Sequence, residues 1–572
     1  MFSLERRSQR NKEKTSYMNT NFKNKFLTGA MLFSALLMGS SCDDSIEGLK
    51  VTPETPFADK TLYEVITNDA DLTQFVDVIN SCGSEGADSL FNHSRVYTVW
   101  APVNGSFNKD SLIQEVANGN REAVFNTFVK AHVANFLKPA TGKLENDNLI
   151  MLLNNKMARF EGDHLNGYSF SGCAIDEANI RVVNGIIHKI EKASEYKYNI
   201  WEYLKVAENI DSVATYLYSF NEYKFNEGQS LKGPIVEGVQ TYLDSVFDFK
   251  NMWLDTWNGL GNLNYEDSLY TAYIPTNEVW VEQVALADKY FNYNRTSKIP
   301  AKMDSTYRDS LRFYYPRQNV LKYLTYSQNE QIYVKSPDSI MPVCRDGERK
   351  QFLAEQLNRN IYSTKELSNG VFNIINEFPF SPLELWHDTI FVEGENTNMI
   401  NRQTQNVVSA VKTAYKNQIN KDSAFVDAKI SGSAYYQIGD ENTKTALTLE
   451  YAIPNMLSAK YKLALILVPR NIVNSNIKED ELLDVVISVK VSQNSKQIKS
   501  INNIKVNPTR VDTVFLADSK GDVILSMPNC EYYKTGSKDD YSTSVEIKTV
   551  RSNKRDMSLR LDKIMFIPVM DE

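Results

Sequence analysis

Residues able to do acid–base, nucleophilic or metal chemistry are few and scattered. The histidines are His93, His132, His164, His188 and His387, and they form no HExxH motif or other i, i+4 pair. Cys82, Cys173, Cys344 and Cys530 show no CxxC pair and no zinc-ligand spacing; they read as buried free thiols, with a Cys82–Cys173 bridge as the alternative. No GxSxG elbow or phosphate-binding glycine loop is present. The nearest approach, Trp257-Asn-Gly-Leu-Gly-Asn262, reads as a surface turn with an aromatic beside it. Carboxylate pairs for glycoside hydrolysis are defined by spatial separation, which 71 Asp and Glu leave open. The expectation is recognition without catalysis, with no metal and no cofactor.

Recognition points to the aromatics, 11% of the chain and including 31 Tyr. Tyr and Trp offer a flat face to a sugar ring or apolar group and a polar tip for a hydrogen bond. The candidates are Trp253, Trp257 and Tyr265, then Tyr435, Tyr436, Tyr532 and Tyr533. Trp257 leads because its Asn-Gly setting argues for a loop; core packing is the competing reading for every one of them.

A second pattern exceeds chance. Asp followed by Ser or Thr and then by Ala, Ile, Leu, Val, Met or Thr occurs twelve times, against about two expected from ordinary residue frequencies. The triplet resembles the acceptor motif of periplasmic O-glycosylation in some Gram-negative bacteria. That resemblance implies modification at Ser89, Ser111, Ser212, Ser245, Ser268, Ser310, Ser339, Thr389, Ser423 and Thr513. The alternative is that Asp-Ser is favoured at helix caps and turns.

Residues 1–41 hold seven basic and two acidic residues and end in the apolar run Phe26–Met38. Thirteen helical residues rise about 20 Å, short of a hydrocarbon core of about 30 Å, so the run reads as a signal-peptide core. Gly39-Ser40-Ser41-Cys42 then resembles a bacterial lipoprotein signal, although Gly39 stands where Leu is usual. The resemblance implies lipidation of Cys42. Asp43-Asp44 resembles the acidic signals that send some lipoproteins to the outer face of the outer membrane, and 42–56 reads as a tether. The conventional-looking signal begins at Met18, so the start lies at Met1 or Met18.

The elements behind these residues are read from periodicity. Leu62, Val65, Ile66 and then Leu72, Phe75, Val76, Ile79 recur at helical spacing. Val96–Trp100 is a predicted strand stopped by Ala101-Pro102, 121–135 is a predicted helix, and 180–190 is a predicted hairpin around Asn184-Gly185. Tyr97-Thr-Val-Trp-Ala-Pro-Val-Asn-Gly-Ser-Phe107 and Val183-Asn-Gly-Ile-Ile-His188 together resemble the two boxes of a fasciclin domain over 57–196. A second pass, with Tyr270-Thr-Ala-Tyr-Ile-Pro-Thr-Asn277 and Ser368-Asn-Gly-Val-Phe-Asn373, spans 197–385. It has Asn373 in place of the second-box histidine, and insertions are expected in 285–345. The two Asn-Gly pairs are expected to supply the positive φ of tight hairpins.

After Trp386 the pattern turns to period two, with strands predicted at 434–438, 446–453, 461–468, 483–491, 511–516, 523–527, 545–550 and 557–569. The fold expectation is α+β: two tandem fasciclin-like α/β domains followed by an all-β sandwich over 386–572. Formal charge is −8 overall and −13 once residues 1–41 are removed; residues 386–572 carry +1, which places −14 on 42–385. No basic surplus advertises nucleic acid. The expected role is an outer-membrane, surface-exposed lipoprotein that binds an extracellular glycan or peptide beside a TonB-dependent transporter and its lid lipoprotein. Cell or matrix adhesion through the fasciclin-like domains is the alternative.

Overall fold

The computed structural model describes residues 57–570 except 58, 84–90, 92–95, 146–147, 237, 245, 294–304, 330–337, 346–349, 414–429, 432–433, 471–477, 479–480 and 534–536. Cys42, the signal segment and the tether, together with Ser89, Ser245 and Ser423, lie outside the described residues. Among the described residues no helix is long and apolar enough to cross a membrane. The chain divides into two compact units, Met1–Tyr196 and Lys197–Glu572.

In the first unit, helix α1 (Leu62–Asn68) starts at a capping box. Thr61 N donates to Glu64 Oε2 at 2.7 Å while Glu64 N donates to Thr61 Oγ1 at 3.3 Å. Its face of Leu62, Val65 and Ile66 is buried with Phe75, Val78 and Ile79 of α2 (Thr73–Ser81). Strand β1 (Tyr97–Pro102) is buried along its whole length. The sheet has the order β2-β1-β7-β6-β5-β4-β3, formed by Val133–Asn135 (β2), Leu149–Met151 (β3), Met157–Asp163 (β4), Gly167–Phe170 (β5), Cys173–Val182 (β6) and Gly185–Ile190 (β7). β1 runs antiparallel to β2 and parallel to β7, with Tyr97 opposite Gly185 and Trp100 opposite His188.

Three expectations change here. The predicted strand does not stop at Trp100: Pro102 stays in register with Ile190, and Val103 N makes the next bond to Ile190 O at 3.1 Å. The helix expected over 121–135 breaks into short helical turns and ends in β2, because Val133 pairs with Val99. Gly185 is not needed for positive φ. A Cβ there would lie 2.3 Å from Tyr97 O and 2.8 Å from Leu62 Cδ1, so what the position requires is close approach of two strands and a helix.

The box residues turn out to be brackets between distant segments. Asn104 Oδ1 accepts from Gln74 N at 2.9 Å and its Nδ2 donates to Ala70 O at 2.8 Å, which satisfies the start of α2. Asn184 Oδ1 accepts from Leu62 N at 2.7 Å and its Nδ2 donates to Phe91 O at 2.7 Å. His132 and His188 are fully buried, and each ring nitrogen has a partner. His132 Nδ1 donates to Phe128 O and its Nε2 accepts from Ser194 N; His188 Nε2 donates to Lys138 O and its Nδ1 accepts from Asn179 N. Both rings are thereby held neutral in opposite tautomers, and burial lowers each imidazole pKa to about 4.

Several of these contacts have counterparts in the second unit. Asn199 and Glu202 form a capping box on the helix Ile200–Tyr203. The strand Tyr270–Pro275 lies between the antiparallel Thr325–Ser327 and the parallel Gly370–Ile375, which pairs in turn with Ile361–Leu367. Tyr270 stands opposite Gly370 and Tyr273 opposite Asn373, the places held by Tyr97, Gly185, Trp100 and His188 in the first unit. Asn369 Oδ1 accepts from Ile200 N at 2.8 Å, and Asn277 Oδ1 accepts from Ser212 N at 2.9 Å. Gly370 does have positive φ, +139°, and a Cβ there would sit 1.9 Å from Tyr270 O.

Toward the C-terminus two antiparallel sheets form. One runs Ser409–Thr413, Ala434–Ile438, Leu559–Val569, Lys460–Leu467, Asp512–Phe515, with Ile390–Glu393 and Ile524–Ser526 joined to it. The other runs Ile400–Gln403, Thr448–Ala452, Ser544–Thr549, Val485–Gln493, Lys496–Val506. Inward residues of both, such as Leu463, Leu561 and Phe566 with Tyr451, Val489 and Ile547, belong to one core that also includes Trp253, Trp280 and Phe372. Each of the eight predicted strand segments overlaps an observed strand. Lys496–Val506 was missed because it is a polar edge strand, pairing only with Val485–Gln493.

The neutral histidines make stability pH-dependent. Between the unfolded imidazole value near 6.5 and the folded value of about 4, the unfolded state binds more protons, so their contribution is complete above 6.5 and is lost as pH falls through 4. His188→Asn, which copies Asn373, should lower stability at pH 7 and make the fall between pH 6.5 and 4 shallower. Thermal midpoints across that range check it; an unchanged slope would contradict the buried-neutral assignment.

Candidate functional site

An inserted segment borders a cleft of about 700 Å³ in the second unit. Between the helix Asp211–Tyr218 and the strand Tyr270–Pro275 the chain makes two small antiparallel pairs, Glu222–Phe225 with Phe247–Lys250 and Leu231–Val236 with Val239–Asp244. The root of this arm forms one wall, the 251–265 loop a second, and the helix Ser305–Leu321 the third. Sequence reading placed insertions in 285–345 and missed this one. The available signal was the alternation Tyr223, Phe225 and Phe247, Phe249 among charged residues.

Local chemistry shapes the loop. Asn251 Nδ2 donates to Leu217 O (2.9 Å) and Asn221 Oδ1 (2.8 Å), while its Oδ1 accepts from Trp253 N (2.8 Å). Asp255 Oδ1 accepts from Trp257 N and Asn258 N, an Asx turn. Gly259 passes so close to Trp253 that a Cβ would lie 2.3 Å from its carbonyl oxygen. From beneath, Asn369 Nδ2 donates to Leu263 O (2.8 Å) and Tyr265 O (3.0 Å), so the second-box asparagine pins the loop to the sheet.

The lining mixes aromatic faces with amides. Phe220, Phe249, Tyr265 and Tyr314 supply rings, and Asn258, Asn262 and Gln318 supply carboxamides. Glu222, Lys250 and Asp255 are its charged groups, and Asp255 already serves the turn. Rings with amides that can both donate and accept suit hydroxyl-rich or amide-rich ligands. The volume falls within the usual range for ligand sites, about 300–1,000 Å³.

The aromatic candidates separate by burial. Tyr265 (54% exposed) lines the cleft and Trp257 (60% exposed) lies on the same loop. Trp253 is buried beneath it, its ring 6.3 Å from both Tyr314 and Phe220. Tyr435, Tyr436 and Tyr533 are buried in the core and present no face to a ligand; Tyr436 donates to Gln403 Oε1. An aromatic residue is as suited to burial as to recognition, which is why sequence could not separate the two. Tyr532 is half-buried against Phe291 and Tyr315. Among the triplet acceptors, Ser111, Ser310, Thr389 and Thr513 are exposed, and Ser212, Ser268 and Ser339 are half-buried. Cys82, Cys344 and Cys530 are buried and Cys173 is half-buried, and none of the four is in a disulfide.

The chain carries a fasciclin domain: the family profile of that name matches residues 70–193. Among solved structures, similarity is found to a domain pair from the insect cell adhesion molecule fasciclin I, at 12% identity and TM-score 0.20, covering 55% of this chain and 98% of that one. It is also found to a family 11 carbohydrate-binding module from Clostridium thermocellum in complex with a mixed-linked tetrasaccharide, at 9% identity and TM-score 0.18, covering 32% and 98%. A third is tailspike protein 4 of bacteriophage CBA120, at 10% identity and TM-score 0.19, covering 31% and 20%. No curated protein matches.

The two tryptophans of the loop should separate in a stability measurement. Trp253→Ala should cost about 3–5 kcal/mol through the cavity it leaves, whereas Trp257→Ala should stay within about 0.5 kcal/mol. Urea denaturation of the full chain checks both.

Proposed function

We propose that this chain is a non-catalytic, cell-surface binding protein whose cleft takes an extracellular glycan. In this reading it has two fasciclin-like domains, 57–196 and 197–385, and a β-sandwich over 386–572. Support for the second copy comes from its matched capping box, parallel strand pair, close-approach glycine and box asparagines. The sandwich reading rests on the two antiparallel sheets that share one core. The observation that carries the function is the cleft, in which the exposed ring of Tyr265 stands beside Asn258 and Asn262. Among the described residues, neither of those two amides bonds within the chain through its side chain. A peptide is the other ligand this lining accommodates, through the same amides.

A lipid on Cys42 anchors the protein in the outer membrane, and the Asp43-Asp44 pair directs it to the outer face. There it serves as an accessory to a TonB-dependent transporter and its lid lipoprotein, handing ligand on. The second reading is adhesion to a cell or matrix, which the fasciclin match over 70–193 favours. The acidity of 42–385 argues against nucleic acid as a partner. O-glycosylation at the Asp-Ser/Thr triplets is compatible with both roles, since none of the seven described acceptors is buried.

Calorimetry with neutral oligosaccharides should give binding that Tyr265→Ala weakens about tenfold, in line with an aromatic contact worth roughly 1–2 kcal/mol. Affinity unmoved by Tyr265→Ala would remove the cleft from the proposal. Cys42→Ser should release the protein from outer-membrane fractions; its retention there would contradict the anchor. A deletion strain with normal growth on every glycan but impaired attachment would select adhesion over uptake.

A further inference from the structure

The inserted arm carries more aromatic surface than the cleft uses. In its ladder of Glu222–Phe225 with Phe247–Lys250, Tyr223 stands opposite Phe249 and Phe225 opposite Phe247, so the four rings share one face. Lys224 stands opposite Asp248 and Glu222 opposite Lys250, which gathers the charges on the other face in pairs of opposite sign. The rings meet across the strands, with centroids 5.2 Å apart for Tyr223 and Phe249 and 5.6 Å apart for Phe225 and Phe247. Tyr242 of the second ladder continues the row, its ring 4.8 Å from that of Phe225.

This face is held in shape and left uncovered. Ser230 is buried where the two ladders meet; its Oγ donates to Asn226 O at 2.7 Å and accepts from Val246 N at 2.9 Å, and Asn226 N donates to Val246 O at 2.8 Å. Cross-strand ring pairs stabilise a ladder, yet Tyr223 remains 67% and Phe247 53% exposed. Phe249 joins the face to the cleft, since it lines the cleft and packs against Tyr223. Successive rows lie two residues apart along a strand, about 6.7 Å, so the rings step outward from the cleft wall. Ile235, Val236 and Val239 are exposed nearer the turn at Gly238. Residues 221–250 hold five acidic and three basic side chains, which disfavours a polyanion.

We infer that the arm prolongs the cleft into a track for a neutral, linear oligosaccharide, whose C–H faces lie on the rings of Tyr223, Phe225, Phe247 and Tyr242. The inference rests on the reading of the cleft as a glycan site and adds the length of its ligand. An exposed apolar face of this kind marks an interaction site. A sugar offers an apolar C–H face to an aromatic ring and keeps the hydroxyls at its edge in water, so an open, uncharged strip of rings fits it without burying polar groups. Rings at a set interval suit a ligand that itself repeats, and the shared Phe249 makes the strip part of the same surface as the cleft. A short sugar fills the cleft alone. A longer one gains a stacking contact at each further row, with the cost of bringing the two molecules together already met in the cleft.

Calorimetry of the full-length protein with neutral gluco-, galacto- and manno-oligosaccharides, each as its two-sugar and eight-sugar member, tests this. In at least one series the longer member should bind about tenfold tighter. Tyr223→Thr and Phe247→Thr should each bring the two affinities together, whereas Tyr265→Ala in the cleft should weaken both members. Ile235→Thr near the turn should leave the gain with length as it is. Trypsin cleavage after Lys224 and Lys232 reports whether the arm is intact, and a gain lost only in variants that are cut faster than the unaltered protein counts against the inference. The inference is overturned if both lengths bind alike, if the gain survives both threonine variants at residues 223 and 247, or if Ile235→Thr removes it equally. In those cases binding that Tyr265→Ala weakens leaves the cleft reading standing, whereas binding in no series removes cleft and track together. A dimer in sedimentation that Phe247→Thr dissociates would assign the face to a second copy and likewise overturn the inference.

Discussion

Much of this structure hangs on a side-chain amide that bridges a helix start to a sheet. Asn184 in the first unit and Asn369 in the second each accept from the first N–H of a capped helix, Leu62 or Ile200, and each donates to carbonyls of a segment far away in sequence. A helix start leaves N–H groups without intrahelical partners, and a buried one must be satisfied from elsewhere. The glycine that follows lets the strand approach its parallel neighbour to a distance a Cβ would forbid. The Asn-Gly pair therefore acts between strands and helix, and the turn itself is secondary.

The same bracket explains where the cleft can form. In the second unit the amide donates to the carbonyls of Leu263 and Tyr265, so the loop carrying the exposed aromatic is tied to the most buried strands of its sheet. The first-unit counterpart donates instead to Phe91 O. An insertion at this place can thus vary in length and composition without disturbing the strand pair below it. A rigid base under a variable loop is the usual arrangement for a binding surface.

Buried polar groups elsewhere divide by whether they are paired. His132 and His188 use both ring nitrogens and so lock their tautomers, which accounts for two imidazoles that sequence spacing left without a chemical role. Trp386 Nε1 and Asn455 Oδ1 are unpaired beside a cavity. Paired groups rigidify a core, while unpaired ones carry the cost of a desolvated donor or acceptor.

The boxes, their order and the helical and strand periods were legible in the sequence, because each rests on local chemistry: a cap, a proline, an apolar repeat. From these alone came the fasciclin resemblance, the repeated pass and the eight strand segments after Trp386. What the boxes bind was not legible, since Asn184 meets Leu62 across 122 positions and Asn369 meets Ile200 across 169. Aromatic type and period could not tell Trp253 and Tyr435 in the core from Trp257 and Tyr265 at the surface, because a ring gains from burial and from ligand contact by the same physics. The sequence by itself thus determined which elements form and which residues are able to recognise a ligand. The tertiary structure alone decided which rings face a cavity, because that depends on an inserted arm and a helix distant in the chain closing around one short loop.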